Sequence, residues 1–296
     1  MQTLRRFLEM IRFSHTLFAL PFALFSAILA WYNKRSFAFL ELVGIVLCMV
    51  FARSAAMAFN RLADRDIDAK NPRTAIRHLP SGQLSVGSVW LFTLVCCAGF
   101  VGSTATFLLE GNSWPIRLAA PVLLFVLAYS YTKRFTALAH FWLGASLLLA
   151  PLASWIAIRG FEDWPTPLVI GLAVLFWVAG FDIIYACQDA DFDREAKLHS
   201  IPALLGVRAA LWVACLSHVA MVAMLIVLYL FASDPYGPLG LAYLAALGGV
   251  TAMLGYEHAL VRPDDLSRAN QAFFNVNIII SVGMLAVLLV EVALHW

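Results

Sequence analysis

Two short strings hold most of the chemistry that this sequence can offer. Asp64-Arg-Asp66-Ile-Asp68 and Asp189-Ala-Asp191-Phe-Asp193 share the pattern D-x-D-apolar-D and lie 125 residues apart. On a helix that continues through each string, residues i and i+4 share a face. Asp64 then pairs with Asp68 and Asp189 with Asp193, while the middle acids point elsewhere. Two carboxylates on one face repel unless a cation lies between them. Mg²⁺ suits that gap, because it takes one or two carboxylates, keeps several waters and completes its octahedron with phosphate oxygens. Two such pairs on facing helices would hold two Mg²⁺ ions about a diphosphate, with Asp64, Asp68, Asp189 and Asp193 as ligands and catalytic acids. Lys70, Arg73, Arg77, Lys133, Arg134 and Lys197 flank the acids, and a diphosphate needs such donors.

Each acidic row can be followed back along its helical stripe. Steps of four and then seven from Asp64 reach Asn60 and Arg53; from Asp189, counting back four and seven reaches Tyr185 and Asp182. Asn60 offers a neutral oxygen to a metal, and Tyr185 a hydroxyl near the phosphates. Arg53 lies about 10 Å deeper than Asn60 at 1.5 Å per residue. A buried arginine needs a counter-charge, and two are open: a salt bridge to Asp182, or an anionic group such as a substrate carboxylate. Asp182 is itself a buried acid that can pair with Arg53 or take a proton from a bound hydroxyl.

The elements that must position these residues are membrane helices. Of the 296 residues, 62% are apolar and only 13% charged, which excludes a free soluble enzyme and a disordered chain. A bilayer core of ~30 Å needs roughly 20 apolar residues, and nine segments meet that need: 13–32, 38–60, 86–109, 115–132, 138–158, 166–187, 208–231, 237–257 and 271–294. The expected fold is all-α, a polytopic bundle of nine transmembrane helices around a central cavity, forming one domain over 1–296. Runs such as Leu118–Tyr131 do not alternate, which excludes a membrane β-barrel. Pro21 is expected to kink the first span, with neighbouring helices absorbing the break.

Lys and Arg counts set the orientation. Arg5, Arg6, Arg12, Arg61, Arg65, Lys70, Arg73, Arg77, Lys133, Arg134, Arg194, Lys197, Arg208, Arg262 and Arg268 fall on one side; Lys34, Arg35, Arg117 and Arg159 fall on the other. The amino terminus and the two long connections, about 61–85 and 188–207, are therefore expected on the cytoplasmic face. A net charge of +2 is too small to suggest nucleic acid. Cys48, Cys96, Cys97, Cys187 and Cys215 lie in or beside apolar runs without a C-x-x-C pair and are read as buried apolar groups. His15, His78 and His199 are expected as loop or interfacial groups, and Asn275 and Asn277 as bonds between helices.

These motifs resemble the UbiA family of intramembrane aromatic prenyltransferases. Arg53-Ser-Ala-Ala-Met-Ala-Phe-Asn60-Arg-Leu-Ala-Asp64-Arg-Asp-Ile-Asp68 is similar to the family's R-S-A-x-x-x-x-N-D-x-x-D-x-x-x-D, and Tyr185-Ala-Cys-Gln-Asp189-Ala-Asp-Phe-Asp193 to its Y-x-x-x-D-x-x-x-D. Tyr131-Thr-Lys133-Arg134-Phe-Thr resembles the basic turn after the family's fourth helix. Arg61 stands where many members carry Asp, and the string from Asn60 to Ala75 resembles a branch found with the futalosine route to menaquinone. The resemblance implies Mg²⁺-dependent transfer of a polyprenyl group from its diphosphate to a small aromatic acid, 4-hydroxybenzoate or a dihydroxynaphthoate, in ubiquinone or menaquinone biosynthesis. It also implies a bacterial inner membrane and no obligatory protein partner. A membrane cation transporter and a phosphatidyltransferase are the competing readings. Transport sites tend to lie at the midplane on broken helices, and the D-G-x-x-A-R opening of the phosphatidyltransferases is absent.

Overall fold

The computed structural model describes residues 2–11, 16–233 and 237–295. Helices run over α1 Gln2–Met10, α2 Thr16–Lys34, α3 Phe39–Ala63, α4 Arg65–Asp68, α5 Val86–Ala105, α6 Trp114–Thr132 and α7 Ala139–Arg159. They continue as α8 Pro165–Ala186, α9 Ala190–Glu195, α10 Ile201–Leu205, α11 Val207–Ala232, α12 Leu241–Leu260, α13 Ala269–Gln271 and α14 Asn277–His295. Among the described residues no strand forms; only two isolated bridges occur, Ser233 with Leu239 and Arg262 with Asp265. All-helical architecture is what lipid imposes on backbone polar groups.

Among the described residues seven helical stretches are long and apolar enough to cross a bilayer: Phe39–Ala63, Val86–Glu110, Trp114–Thr132, Ala139–Arg159, Pro165–Glu195, Val207–Ala232 and Ala269–His295. In the segments expected at 13–32 and 237–257, helix is described over Thr16–Lys34 and Leu241–Leu260 as α2 and α12, and neither is among the seven. Pro21 sits inside α2, which runs on through it. The α12 helix starts later than expected because Gly237 packs against the Ala232 backbone and Leu239 N donates to Ala232 O at 2.9 Å, so a turn occupies the first residues of the expected span. The last span also differs: it opens with α13 and a π-helical turn over Ala272–Val276 before α14 begins. His15 and Arg12 lie outside the described residues.

The chain divides into two compact units. The first comprises Met1–Thr16 and Phe39–Thr132, and the second Leu17–Ala38 and Lys133–Trp296. In the first, α3 packs along α5 and α6, and Phe59 meets Trp90 and Tyr131 edge-on. In the second, α8 packs against both α7 and α11. It is apolar on every face, as a helix buried all round must be; Ile170, Trp177, Val178, Ile183 and Ile184 are fully buried. Small residues let its neighbours approach: a Cβ at Gly144 of α7 would collide with the Leu175 carbonyl, and one at Gly180 with the His218 ring. Such glycines permit close backbone contact between helices in lipid, where no hydrophobic force drives them together.

Several polar groups inside the second unit bond to one another across helices. Asn277 accepts from Trp177 Nε1 at 2.6 Å and donates to Glu257 Oε1 at 3.2 Å and Phe273 O at 3.0 Å, so it bonds between helices as expected. His218 shares a 2.9 Å hydrogen bond with His258. Glu291 of α14 accepts the N–H groups of Gly240 and Tyr243, at 3.0 and 2.9 Å, and so caps α12. All five cysteines are free.

Candidate active site

The first motif lies where α3 ends. The helix does not run straight through the acids, as the i, i+4 reading assumed: Asp64 leaves helical geometry at φ −95°, ψ 5°, and the chain restarts as α4. The break is shallow. Asp64 N still donates to Asn60 O and Asp68 N to Asp64 O, at 2.9 and 2.7 Å. Asn60 Nδ2 donates to Asp64 Oδ2 at 2.9 Å, and Asn60 Oδ1 accepts from Arg61 Nη1 at 3.4 Å. Asp68 points inward with 8% of its side chain exposed, and Arg77 Nη1 donates to both its oxygens, at 2.6 and 2.7 Å. Arg61 Nη1 stands 3.9 Å from the same carboxylate. The following loop is folded onto this residue, because Thr74 Oγ1 donates to Asp68 O at 3.0 Å.

The second motif repeats that backbone path inside its own unit. After α8 a 3₁₀ turn covers Cys187–Asp189; Asp189 sits at φ −106°, ψ 6°, and α9 follows. Asp193 points inward with 4% of its side chain exposed and Lys133 Nζ 3.9 Å away. Its Oδ2 is buried without a hydrogen-bond partner among the described residues. Leu198 N donates to Asp193 O and His199 N to Lys133 O, at 2.8 and 2.7 Å, which ties this connection to the start of the α7 segment. The middle acids do point elsewhere: Asp66 is 80% exposed and bonded to Arg65, and Asp191 is 92% exposed and bonded to Arg194.

Deeper on the α8 stripe, Tyr185 lies against Phe273 with ring centroids 4.7 Å apart, and Phe273, Phe181, Trp177 and Phe22 continue as an aromatic row at 5.1–5.2 Å spacings. Asp182 is bonded to His140, whose Nδ1 lies 2.7 Å from Asp182 Oδ2. The sequence reading did not single out His140. On α3, Arg53 Nε is buried without a hydrogen-bond partner among the described residues.

The cation shell is less uniform than the sequence reading drew it. Arg77 and Lys133 face buried acids. Arg73 folds back in a turn, its N–H donating to Asn71 Oδ1 at 2.9 Å, and Arg134 is exposed. Lys70 and Lys197 are exposed and form no ion pair among the described residues. Nor do any three His, Cys, Asp or Glu side chains among those residues cluster closely enough to hold a metal unaided. Of the histidines expected at the interface, His78 Nε2 stands 3.5 Å from Glu9 Oε2 and His199 is exposed.

The model of the UbiA prenyltransferase family matches residues 19–279. The chain belongs to that family. It is 32% identical over 213 residues to the mitochondrial 4-hydroxybenzoate polyprenyltransferase of Caenorhabditis elegans, covering 72% of this chain but only 57% of that protein. It is 29% identical to the 4-hydroxybenzoate octaprenyltransferase of Vibrio campbellii, covering 82% of this chain and 83% of that one. Among solved structures, a UbiA homologue of Aeropyrum pernix superposes with a TM-score of 0.82 at 32% identity, over 94% of this chain and 98% of the other. A UbiA homologue of Archaeoglobus fulgidus bound to DMAPP and Mg²⁺ shares the fold, with a TM-score of 0.74 at 21% identity over 97% and 99%. The chain is thus a multi-pass membrane prenyltransferase, which sets aside the transporter and phosphatidyltransferase readings.

Proposed function

We propose that this prenyltransferase moves a polyprenyl group from polyprenyl diphosphate to a ring carbon of a hydroxy-aryl carboxylate, 4-hydroxybenzoate or a dihydroxynaphthoate, and so serves ubiquinone or menaquinone biosynthesis. The observation that carries the acceptor class is the Arg53 guanidinium, whose buried Nε has no hydrogen-bond partner among the described residues. A cation in that position is costly unless an anion joins it, and an acceptor carboxylate supplies one. The curated relatives named for 4-hydroxybenzoate support the same class. The further reading proposed is nine membrane crossings, a single UbiA domain over 1–296, and, from the Lys and Arg distribution, a cytoplasmic amino terminus with both acidic connections on the same face of a bacterial inner membrane.

The donor set fits Mg²⁺. Asp193 keeps a buried oxygen with no hydrogen bond among the described residues, which is costly unless a cation or donor arrives, and Asp64 and Asp189 open matching turns. Asn60, Asp64, Asp189 and Asp193 would hold two Mg²⁺ ions, which supply positive charge to a departing diphosphate. Asp68, expected as a further ligand, is assigned instead to holding Arg77 and Arg61, the guanidinium donors of that diphosphate. Lys133 stands beside Asp193 for the same task, with Arg73, Arg134, Lys70 and Lys197 around the rim. As the allylic C–O bond breaks, the bonding pair leaves with the diphosphate; the ring carbon then forms the new C–C bond and loses its proton to the released diphosphate. Asp182 accepts the proton of the acceptor hydroxyl. Tyr185 and Phe273 offer π faces to the allylic cation in a site from which water is excluded.

The test is turnover of labelled polyprenyl diphosphate by purified protein with and without Mg²⁺, offered 4-hydroxybenzoate and dihydroxynaphthoates in parallel. Product is expected only with Mg²⁺ and with an acceptor that bears a carboxylate. Arg53→Ala should raise the acceptor KM about 10–100-fold, the worth of a hydrogen bond to a charged group, and leave the KM for the prenyl diphosphate unchanged. An unchanged acceptor KM would overturn the assignment of Arg53.

A further inference from the structure

His140 is fully buried near the start of α7 and touches two separate pieces of the second unit. Ile201 N donates to its Nε2 at 3.4 Å, and its Nδ1 lies 2.7 Å from Asp182 Oδ2. A neutral imidazole has one donor and one acceptor nitrogen. With Nε2 accepting from a backbone N–H, the proton resides on Nδ1 and is donated to Asp182. The contact is a charge-assisted hydrogen bond from a ring that cannot turn without breaking both of its bonds.

We infer that His140 is the positioning residue for Asp182: it engages Oδ2, fixes the carboxylate plane, and leaves Oδ1 to meet the acceptor hydroxyl. Oδ1 takes no hydrogen bond from the protein among the described residues, so that oxygen is open to a substrate. The second bond gives the arrangement a further consequence. Ile201 begins α10, in the connection that also carries Asp193 and Lys197, and His199 N is tied to Lys133 O at 2.7 Å. The imidazole therefore sets Asp182 in register with the loop that faces the diphosphate, as second-layer partners orient ligands in other sites. This inference rests on the role given to Asp182 above.

The experiment compares His140→Ala, His140→Asn and His140→Gln, with Asp182→Asn as reference, by steady-state kinetics in both substrates. The Asn amide nitrogen falls near the place of Nδ1, whereas the Gln amide falls near Nε2. His140→Ala should lower kcat on the order of 10–100-fold, the usual loss when an outer partner is removed. Both KM values should stay within about twofold. His140→Asn should recover most of that loss and His140→Gln should not. On the Asp182→Asn background, His140→Ala should cost nothing further. His140→Asn no better than His140→Ala, or His140→Gln equal to His140→Asn, would overturn the inference, and a structural role alone predicts such indifference. Full activity in Asp182→Asn would instead remove the role of Asp182 itself, while an impaired Asp182→Asn beside a normal His140→Ala would sink only the assignment of His140.

Discussion

The two acidic turns follow nearly the same path and end in different electrostatic states. Asp64 and Asp189 break their helices at closely matched angles, φ −95°, ψ 5° and φ −106°, ψ 6°, and each opens a short helix on which the middle acid of the motif faces solvent and its third acid, Asp68 or Asp193, faces inward. There the likeness ends. Asp68 receives two hydrogen bonds from Arg77 and has Arg61 nearby, whereas Asp193 has one lysine at 3.9 Å and a buried oxygen that receives no hydrogen bond among the described residues. A carboxylate hydrogen-bonded by a guanidinium is already compensated; a buried one whose oxygen receives no hydrogen bond is less so. One peptide pattern thus ends in two environments, and the difference comes from neighbours that the pattern does not contain.

Loss of the matched first acids is the most drastic way to break the comparison. Asp64→Ala and Asp189→Ala should each lower turnover by at least about 10³-fold while the folded protein is still recovered from the membrane. Full activity in both would end the metal reading. Next comes the asymmetry itself. Asp193→Asn should weaken Mn²⁺ binding, read by electron paramagnetic resonance, about 10–100-fold. Asp68→Asn should leave Mn²⁺ affinity within about threefold and instead destabilise the first unit by about 3 kcal/mol, because it removes the buried charge that faces Arg77 and Arg61; a thermal melt in detergent reads this. Equal loss of Mn²⁺ in the two variants would erase the distinction. The smallest effect belongs to the middle acids. Asp66→Asn and Asp191→Asn should change turnover and melting temperature little, since exposed ion pairs contribute only about 0–1 kcal/mol; a large loss in either would show that the outward face takes part.

What the sequence made readable follows from the range of the interactions. Spacing along one helix placed Arg53, Asn60 and Asp64 on a single row, and Asp182, Tyr185 and Asp189 on another, because that geometry is local. The apolar runs located the helices for the same reason, and Asn277 was rightly expected to bond between them. The breaks at Asp64 and Asp189 were not foreseen, since neither string carries a glycine or proline to announce a change of direction. Nor was the partner of Asp182: His140 lies 42 positions away on an apolar helix, where a lone histidine carries no pattern. The available signal was its ionisable character beside a membrane segment, and the same filter finds His218 and Glu257, whose hydrogen bonds tie α8, α11, α12 and α14 together. Arg77 was expected to serve the diphosphate directly, and its grip on Asp68 depends on how an irregular loop folds back, which no periodicity encodes.

The cap on α12 bears on how the protein is assembled. Its opening amides are bonded to Glu291, a carboxylate of the last helix. During synthesis that helix emerges after α12, so for a time the opening amides of α12 lack this carboxylate and depend on other acceptors. The start of α12 therefore settles only when the carboxyl-terminal helix arrives, and a ribosome-bound chain stopped before residue 277 should exchange the amide protons of Gly240 and Tyr243 faster than the full chain.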